Sequence, residues 1–405
     1  MTSDRSIVII GGGLAGAKAA EHARATGFDG RVVVVGAEAR LPYERPPLSK
    51  AVLRGDADPT STLVHDADYY TANDIEVIGG HAAIAVDMAT RAVHVAGGTT
   101  VPFDTAVLAT GATPRRLDVP GATLDGVHYL RNLDDSTRLA GAIRTASRVA
   151  VVGAGWIGTE VAASAREMGA EVVLIGPGAV PLERVLGAEI GAVFARLHAD
   201  NGVALRLGTG VEALRGTTSV EGVVLTDGST EPADLVVVGI GITPRVDLAV
   251  RAGLRVDDGV VVDEHLETSV PGVFAAGDIA SAFQRRYGRH LRVEHWANAL
   301  NQGLTAGGNA AGRRDPYTRL PYFFSDQFDL GLEYVGHAGP GDRVVVRGAL
   351  EDRKFVAFWH HDGVVSAAMN VNVWDVVDDL KAIVGAARPV DPRRLADPSV
   401  ALDDL

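Results

Sequence analysis

The feature that most constrains this chain is a glycine-rich motif that occurs twice. Residues 11–16 (GGGLAG) and residues 153–158 (GAGWIG) both fit the pattern G-x-G-x-x-G. Each copy follows a short β-branched run, Ser6–Ile10 or Arg148–Val152, and opens an alanine-rich helical pattern. A glycine turn between a strand and a helix lets backbone N–H groups face a pyrophosphate. The sequence therefore predicts two dinucleotide-binding βαβ modules in one chain.

The ends of the second strands distinguish the two modules. In the first module the strand Arg31–Gly36 is followed by Glu38, whose carboxylate can accept hydrogen bonds from adenosine ribose hydroxyls. In the second module the strand ends at Ile175 and continues as Gly176-Pro177, with neither an acid nor an arginine in the expected place. Two such modules indicate a flavin and a nicotinamide nucleotide, and the choice between NADH and NADPH stays open.

Composition limits the chemistry that the chain can perform. It has no cysteine, which excludes disulfide or thiol catalysis and cysteine-ligated clusters, so a redox centre has to be a bound organic cofactor. The histidines show no metal-ligand spacing, and we expect no metal. A net charge of −13 argues against a nucleic-acid or anionic-membrane partner. The sequence shows neither a signal peptide nor a spanning run, which predicts a cytoplasmic location.

The order of the predicted elements indicates an α/β fold with two Rossmann-like doubly wound modules and a C-terminal α+β domain. Further strands are predicted near residues 92–95, 105–108, 220–226, 234–238 and 259–262, and a helix over 296–311. From Pro321 aromatic and alternating residues predict antiparallel strands, whereas residues 388–405 predict a loosely held tail. The expected domains are residues 1–112 with 243–318 for FAD, 113–242 for NAD(P)H and 319–405 for the C-terminal domain.

A set of short motifs links the chain to a known family. The most diagnostic is Tyr43–Lys50 (YERPPLSK), and four others accompany it: Leu108–Ala112, Tyr129–Arg131, Gly239–Pro244 and Glu294–Trp296. Together they resemble the FAD-dependent ferredoxin reductases of the putidaredoxin and rhodocoxin reductase type. The resemblance runs from Ser6 to about Asp329 and continues with weaker motifs into the C-terminal domain.

The resemblance implies roles for particular residues. Lys50 would lie beside flavin N5 with Glu160 as its acidic partner, since a buried lysine and a buried glutamate are each costly alone. The alternative is a solvated lysine and a helix-surface acid. Asp278, at the end of the run TSVPGVFAAGD, would bind the ribityl chain. Trp296 would face the flavin pyrimidine edge at a helix start that stabilises negative charge, or serve as a core aromatic. The other implied FAD or nucleotide contacts are Gly11, Gly13, Leu14, Ala15, Gly16, Arg45, Ala83, Ala109, Thr110, Gly111, Arg131, Gly153, Gly155, Ile157, Gly158, Gly241, Gly277 and His295.

The same resemblance implies an activity. NADH, or NADPH, would reduce FAD, and the flavin would pass single electrons to a [2Fe–2S] ferredoxin that supplies a cytochrome P450 or a dioxygenase. The run Arg285–Arg292 holds four arginines, which suit either an acidic ferredoxin or a solvated loop. Rubredoxin, a quinone, monodehydroascorbate and oxygen stay open as acceptors. A redox-gated binding protein like apoptosis-inducing factor is an alternative from another class. We expect a monomer or weak dimer.

Overall fold

The computed structural model describes residues 5–405. Residues 1–4, which belong to the expected segment 1–112, lie outside the described residues. The strands are β1 Ser6–Ile10, β2 Arg31–Val35, β3 Ile75–Ile78, β4 Ala83–Asp87, β5 Ala92–Val95, β6 Thr100–Pro102, β7 Thr105–Leu108, β8 Ala112–Pro114, β9 Val127–Tyr129, β10 Arg148–Val152, β11 Glu171–Gly176, β12 Val203–Leu207, β13 Val211–Gly216, β14 Val220–Leu225, β15 Thr230–Pro232, β16 Leu235–Val238, β17 Ile242–Pro244, β18 Val260–Val262, β19 Val273–Ala275, β20 Ala280–Gln284, β21 Arg289–Arg292, β22 Tyr322–Gln327, β23 Leu330–Gly336, β24 Arg343–Ala349, β25 Lys354–His361 and β26 Val364–Val371. The helices are α1 Leu14–Ala25, α2 Ala51–Arg54, α3 Ala67–Ala72, α4 Leu133–Thr145, α5 Trp156–Glu167, α6 Glu183–Asp200, α7 Asp247–Arg251, α8 Trp296–Ala310, α9 Val377–Ala386 and α10 Pro392–Ala396.

The internal contacts divide the chain into two units. The first unit consists of residues up to 44, 62–113 and 243–322, and the second of residues 45–61, 114–242 and 323–405. Residues 45–61, which carry Lys50, thus pack with the second unit, although the sequence placed them in the FAD segment. The division into three domains with the bounds expected above stays a prediction.

The first unit is built on a parallel sheet with the strand order β3-β2-β1-β7-β19. The strands read as continuous apolar runs because both faces are covered, and Ile7 to Ile10 are at most 2% exposed. The strand order reverses between β1 and β7. In an open α/β sheet, a ligand binds in the crevice at the carboxyl ends of the strands where this reversal occurs. Residues 11–16 follow β1 at that point.

Helices α1 and α8 of the first unit approach each other closely at two glycines. A Cβ atom at Gly303 would lie 2.5 Å from the Ala15 carbonyl oxygen, and one at Gly307 would lie 2.1 Å from that of Ala19. Backbone atoms cannot move away as a flexible side chain can. The two glycines therefore set the distance of α8 from the helix that carries the first glycine motif.

The second unit contains another parallel sheet, in the order β12-β11-β10-β16-β9. A three-stranded antiparallel sheet, β13-β14-β15, packs with it in one apolar cluster. The C-terminal part forms an antiparallel sheet in the order β22-β23-β26-β25-β24. Its apolar face packs on residues of α6, including Phe194. The fold class and the strands predicted from Pro321 onward are confirmed.

One expectation about the chain is wrong. Residues 388–405 are held in place, because Leu395 and Leu405 are buried and Arg347 donates hydrogen bonds to the carbonyl oxygens of Pro398 and Val400. Prolines and charges indicate a poorly ordered terminus only when no apolar side chain anchors it. Here the two buried leucines anchor the segment. Within residues 5–405, no helix is long and apolar enough to cross a bilayer.

Candidate functional site

The first glycine motif is shaped by close backbone approaches. The Gly11 N–H donates to the Val35 carbonyl at 2.8 Å, which ties the motif to the end of β2. Gly11 has a φ of 134°, and a Cβ there would lie 2.0 Å from the Ala109 carbonyl oxygen. A Cβ at Gly16 would lie 2.0 Å from the carbonyl oxygen of Gly11. Only glycine fits these two positions, so the turn brings the start of α1 directly to the sheet edge.

The second motif repeats this geometry and shows where a ligand fits. The Gly153 N–H donates to the Ile175 carbonyl at 2.8 Å, and a Cβ on Gly153 would lie 2.3 Å from the Gly239 carbonyl oxygen. Gly155 is different, since its φ is −86° and no atom lies within 4 Å of a Cβ built there. The protein itself does not require glycine at 155. A glycine at this position does allow a pyrophosphate to approach the backbone closely. Gly155 therefore fits a bound dinucleotide.

Polar groups of the first unit suit the sugars of a flavin nucleotide. Glu38 lies three residues beyond the end of β2, is half-buried, and accepts a hydrogen bond from the Tyr43 hydroxyl at 2.5 Å. Asp278 is also half-buried and lies in a 3-10 turn over Gly277–Ile279. The Gly277 N–H donates to the Gln302 side chain on α8 at 2.8 Å. This bond fixes the turn against the helix that begins at Trp296.

The second unit holds a buried ion pair between Lys50 and Glu160. The Lys50 Nζ and Glu160 Oε1 atoms are 3.0 Å apart, with side-chain exposures of 13% and 6%. Two buried hydroxyls fix the segment that carries Lys50: Ser164 donates to the Ser49 carbonyl at 2.7 Å, and Ser136 to the Leu48 carbonyl at 2.8 Å. Lys50 and Glu160 therefore form a buried pair, and the alternative of a solvated lysine and a helix-surface acid is wrong. Their action on a flavin stays a prediction.

A chain of hydrogen bonds extends this pair into the interior of the second unit. Glu160 also accepts from the Ser49 hydroxyl at 2.5 Å and from the Ser325 hydroxyl at 2.7 Å. Ser325 accepts from the Gln327 amide at 3.2 Å, and the amide oxygen of Gln327 lies 3.0 Å from His198 Nε2. Every donor in this chain points toward the carboxylate. Glu160 therefore accepts three hydrogen bonds, one of them from a charged donor.

His198 closes this chain as a neutral imidazole. It is completely buried, and burial lowers its pKa below the ordinary value, against a smaller opposite effect of its bond to Gln327. Since the amide oxygen accepts, Nε2 carries the proton. Within residues 5–405 the other ring nitrogen, Nδ1, has no hydrogen-bond partner.

The arginine run of the first unit is less basic than its sequence indicates. Arg285 forms an ion pair with Glu264, and this contact raises the pKa of the guanidinium. Arg292 lies 2.5 Å from Glu294 and 3.1 Å from Asp258. The charges of Arg285 and Arg292 are therefore balanced by acids of the same unit, which weakens the run as a docking site for an acidic protein.

The predicted site residues divide between the two units. Those in the first unit are Gly11, Gly13, Leu14, Ala15, Gly16, Glu38, Ala83, Ala109, Thr110, Gly111, Gly277, Asp278, His295 and Trp296. Those in the second unit are Arg45, Lys50, Arg131, Gly153, Gly155, Ile157, Gly158, Glu160 and Gly241. Their ligand contacts stay predictions. Within residues 5–405, no group of three or more His, Cys, Asp or Glu side chains is arranged to hold a metal ion.

Sequence reasoning missed three members of the buried chain. Ser325, Gln327 and His198 belong to no motif, and more than 100 residues separate the serine from Glu160 along the sequence. Ser49, directly before Lys50 in the diagnostic run, was the one neighbour that the sequence offered as a signal.

These features define a class of protein: an oxidoreductase that binds two nucleotides and has no redox-active thiol of its own. A family model described as pyridine nucleotide-disulphide oxidoreductase matches residues 5–303, and one described as reductase C-terminal matches residues 322–405. The chain belongs to the pyridine nucleotide-disulphide oxidoreductase family. It is a flavoprotein oxidoreductase that uses FAD and a nicotinamide nucleotide.

Relatives and solved structures match over nearly the whole chain. The ferredoxin–NAD(+) reductase component of the anthranilate 1,2-dioxygenase system of Burkholderia cepacia is 39% identical, covering 98% of both chains. Putidaredoxin reductase of Pseudomonas putida is 36% identical, covering 100% of this chain and 97% of that protein. The ferredoxin reductase for the CYP199A2 system of Rhodopseudomonas palustris has a TM-score of 0.95, 37% identity and 98% coverage of both chains. The covalent putidaredoxin reductase–putidaredoxin complex has a TM-score of 0.96, 36% identity, and coverage of 99% and 98%.

Proposed function

We propose that this protein is an NADH-dependent ferredoxin reductase that supplies electrons to a dioxygenase or a cytochrome P450 through a [2Fe–2S] ferredoxin. The observation that carries the proposal is full-length similarity, C-terminal domain included, to reductases named for such systems. One of the similar structures is a complex of a reductase with its iron–sulfur partner, putidaredoxin.

The residues of this chain would bind and align two nucleotides. FAD, when bound, accepts a hydride from the nicotinamide and releases electrons singly, which is the cofactor's own chemistry. Residues 11–16 would receive the FAD pyrophosphate, and Glu38 the adenosine ribose. Asp278 would accept hydrogen bonds from the ribityl chain. Gly155 would let the nicotinamide nucleotide approach the backbone of the second motif.

Lys50 would be the catalytic cation. Its ammonium is held by Glu160, whose carboxylate has two further donors, so the lysine is fixed in one place rather than free to follow solvent. A positive charge next to the flavin N5 edge favours the reduced flavin, which carries more negative charge. The chain has no cysteine, so electrons must leave from the flavin directly rather than through a disulfide of this protein.

We further propose that the protein acts in the cytoplasm as a monomer or weak dimer. Reduced nicotinamide nucleotides and ferredoxins occur together in that compartment, which supports the location. Sedimentation of the FAD-loaded protein at micromolar concentration would test the assembly state.

The test of the function is anaerobic stopped-flow reduction of the FAD-loaded protein by NADH, followed by mixing with a [2Fe–2S] ferredoxin. We expect rapid bleaching of the flavin absorbance and rapid reoxidation as the ferredoxin is reduced. A quinone and oxygen serve as competing acceptors in parallel mixes. Reoxidation by oxygen or quinone alone would refute the ferredoxin assignment. Slow reduction that yields a long-lived charge-transfer band would favour the redox-gated binding protein instead.

A further inference from the structure

The loop after the second strand of the first unit has a characteristic pair of backbone hydrogen bonds. The His81 N–H donates to the Gly36 carbonyl at 3.0 Å, and the Gly80 N–H donates to the Glu38 carbonyl at 2.8 Å. Both donors follow the third strand of the sheet. The bonds therefore mark two positions, one directly after β2 and one two residues later, and the acid stands at the later one.

The second unit has the same pair of bonds. The Thr209 N–H donates to the Gly176 carbonyl at 3.2 Å, and the Gly208 N–H donates to the Gly178 carbonyl at 2.8 Å. Gly178 thus occupies the position that Glu38 occupies in the first unit. The ribose-binding position of the nicotinamide module has no side chain of its own.

An acid is also excluded at Gly176, the last residue of β11, which corresponds to Gly36 of the first unit. A Cβ on Gly176 would lie 2.8 Å from the Ala154 Cβ and 3.4 Å from its backbone nitrogen. Ala154 lies inside the second glycine motif, so it cannot move away without displacing the turn that receives the pyrophosphate. The absence of an acid at 176 follows from this contact.

The carboxylate of Glu183 fills the empty position. Its Oε2 atom lies 2.8 Å from where a Cβ on Gly178 would be, and it accepts a hydrogen bond from the Ala179 N–H at 2.8 Å. Glu183 is the first residue of α6 and is half-buried. The bond to Ala179 uses one carboxylate oxygen, and Oε1 has no hydrogen bond within the part of the chain that the structure describes.

We propose that Glu183 is the residue that selects NADH over NADPH. Glu183 lies five residues beyond Gly178 and supplies the carboxylate that is missing at the end of β11. Its Oε1 atom accepts hydrogen bonds from the adenosine ribose hydroxyls. A 2′-phosphate at the same place meets a negative charge that is held by Ala179, and the like-charge contact excludes it. This inference rests on the proposed function, since it assumes that the second motif binds the nicotinamide nucleotide.

The test compares wild type with Glu183→Gln in anaerobic flavin reduction by NADH and by NADPH, with no ferredoxin present. Glutamine keeps an acceptor for the Ala179 N–H and loses only the charge. We expect the preference for NADH, as the ratio of second-order rate constants, to fall at least about tenfold. Glu189→Gln makes the same charge change at an exposed residue of the same helix and should leave the ratio unchanged.

A binding measurement and a rescue variant separate the possible outcomes. The inhibitors 5′-ADP and 2′,5′-ADP differ only in the 2′-phosphate, so the ratio of their inhibition constants isolates its effect. Glu183→Gln should strengthen the binding of 2′,5′-ADP only. Gly178→Glu combined with Glu183→Ala places the acid where the first unit has it and should restore the preference for NADH. An unchanged ratio in Glu183→Gln would overturn the proposal. Wild-type flavin that neither nucleotide reduces would instead refute the proposed function.

Discussion

Replacing Lys50 by methionine should destabilise the second unit strongly. The Glu160 side chain is 6% exposed and accepts three donors at 2.5, 2.7 and 3.0 Å, and Lys50 is the only cation among them. Its removal leaves a buried carboxylate with two hydroxyls, and breaking a buried pair by removing one partner costs about 3–5 kcal/mol. Glu160→Gln should cost less, about 1–3 kcal/mol, because an amide keeps an acceptor and the lysine can shift toward water.

The double variant Lys50→Met with Glu160→Gln tests the coupling. With both charges removed, no uncompensated ion stays buried, so the loss should be smaller than the sum of the single losses by about 2–3 kcal/mol. Urea unfolding of the FAD-loaded protein, followed by tryptophan fluorescence, reports mainly the free energy of unfolding of the second unit. Three of the four tryptophans, Trp156, Trp359 and Trp374, lie in that unit.

The control is a lysine–carboxylate pair on the surface of the same unit. Lys381 Nζ lies 2.9 Å from Asp378 Oδ1, but the two side chains are 44% and 90% exposed. Lys381→Met should therefore change the free energy of unfolding by no more than about 0.5 kcal/mol. The reasoning would be refuted if the effects of Lys50→Met and Glu160→Gln on the free energy of unfolding were additive. It would also be refuted if Lys50→Met destabilised the protein no more than Lys381→Met.

Two further predictions concern packing and pH. Gly307→Ala should destabilise the first unit by about 1–3 kcal/mol, because its Cβ meets the Ala19 backbone, whereas Gly141→Ala, with nothing within 4 Å, should be stabilising by about 0.5–1 kcal/mol in thermal unfolding. His198 has a pKa lowered by burial, so below its ordinary value of 6.5 the unfolded chain binds a proton that the folded chain does not. Wild type should therefore lose stability as pH falls through 6.5, and His198→Asn should reduce that slope by up to about 1.4 kcal/mol per pH unit; equal slopes in urea titrations would contradict this.

The sequence predicted what depends on local patterns. Strands such as β10 were predicted to the residue because β-branched runs covered on both faces allow few alternatives, and the order of the glycine motifs predicted the parallel sheets. The approach of Lys50 to Glu160 followed from the family resemblance and from the cost of burying either charge alone.

The missed features depend on distant contacts. Ser325 and His198 join the buried chain through residues far apart in sequence, which no local period indicates. Glu183 was missed for a different reason. A ribose-binding acid is expected directly after β11, whereas Glu183 is the first residue of α6. The terminal segment is anchored by two single leucines, Leu395 and Leu405, and no local pattern shows that they are buried.

The discontinuity of the first unit determines when it can be completed during synthesis. Strand β19 pairs with β7 through Ala275 and Leu108, so the sheet that begins with the first residues of the fold lacks its edge until well over half of the chain has left the ribosome. The intervening segment of the second unit, residues 114–242, holds all five strands of its own parallel sheet. The part of the chain that is made second is therefore able to form its sheet first, while the earlier strands keep an open apolar edge and need protection from association with other chains.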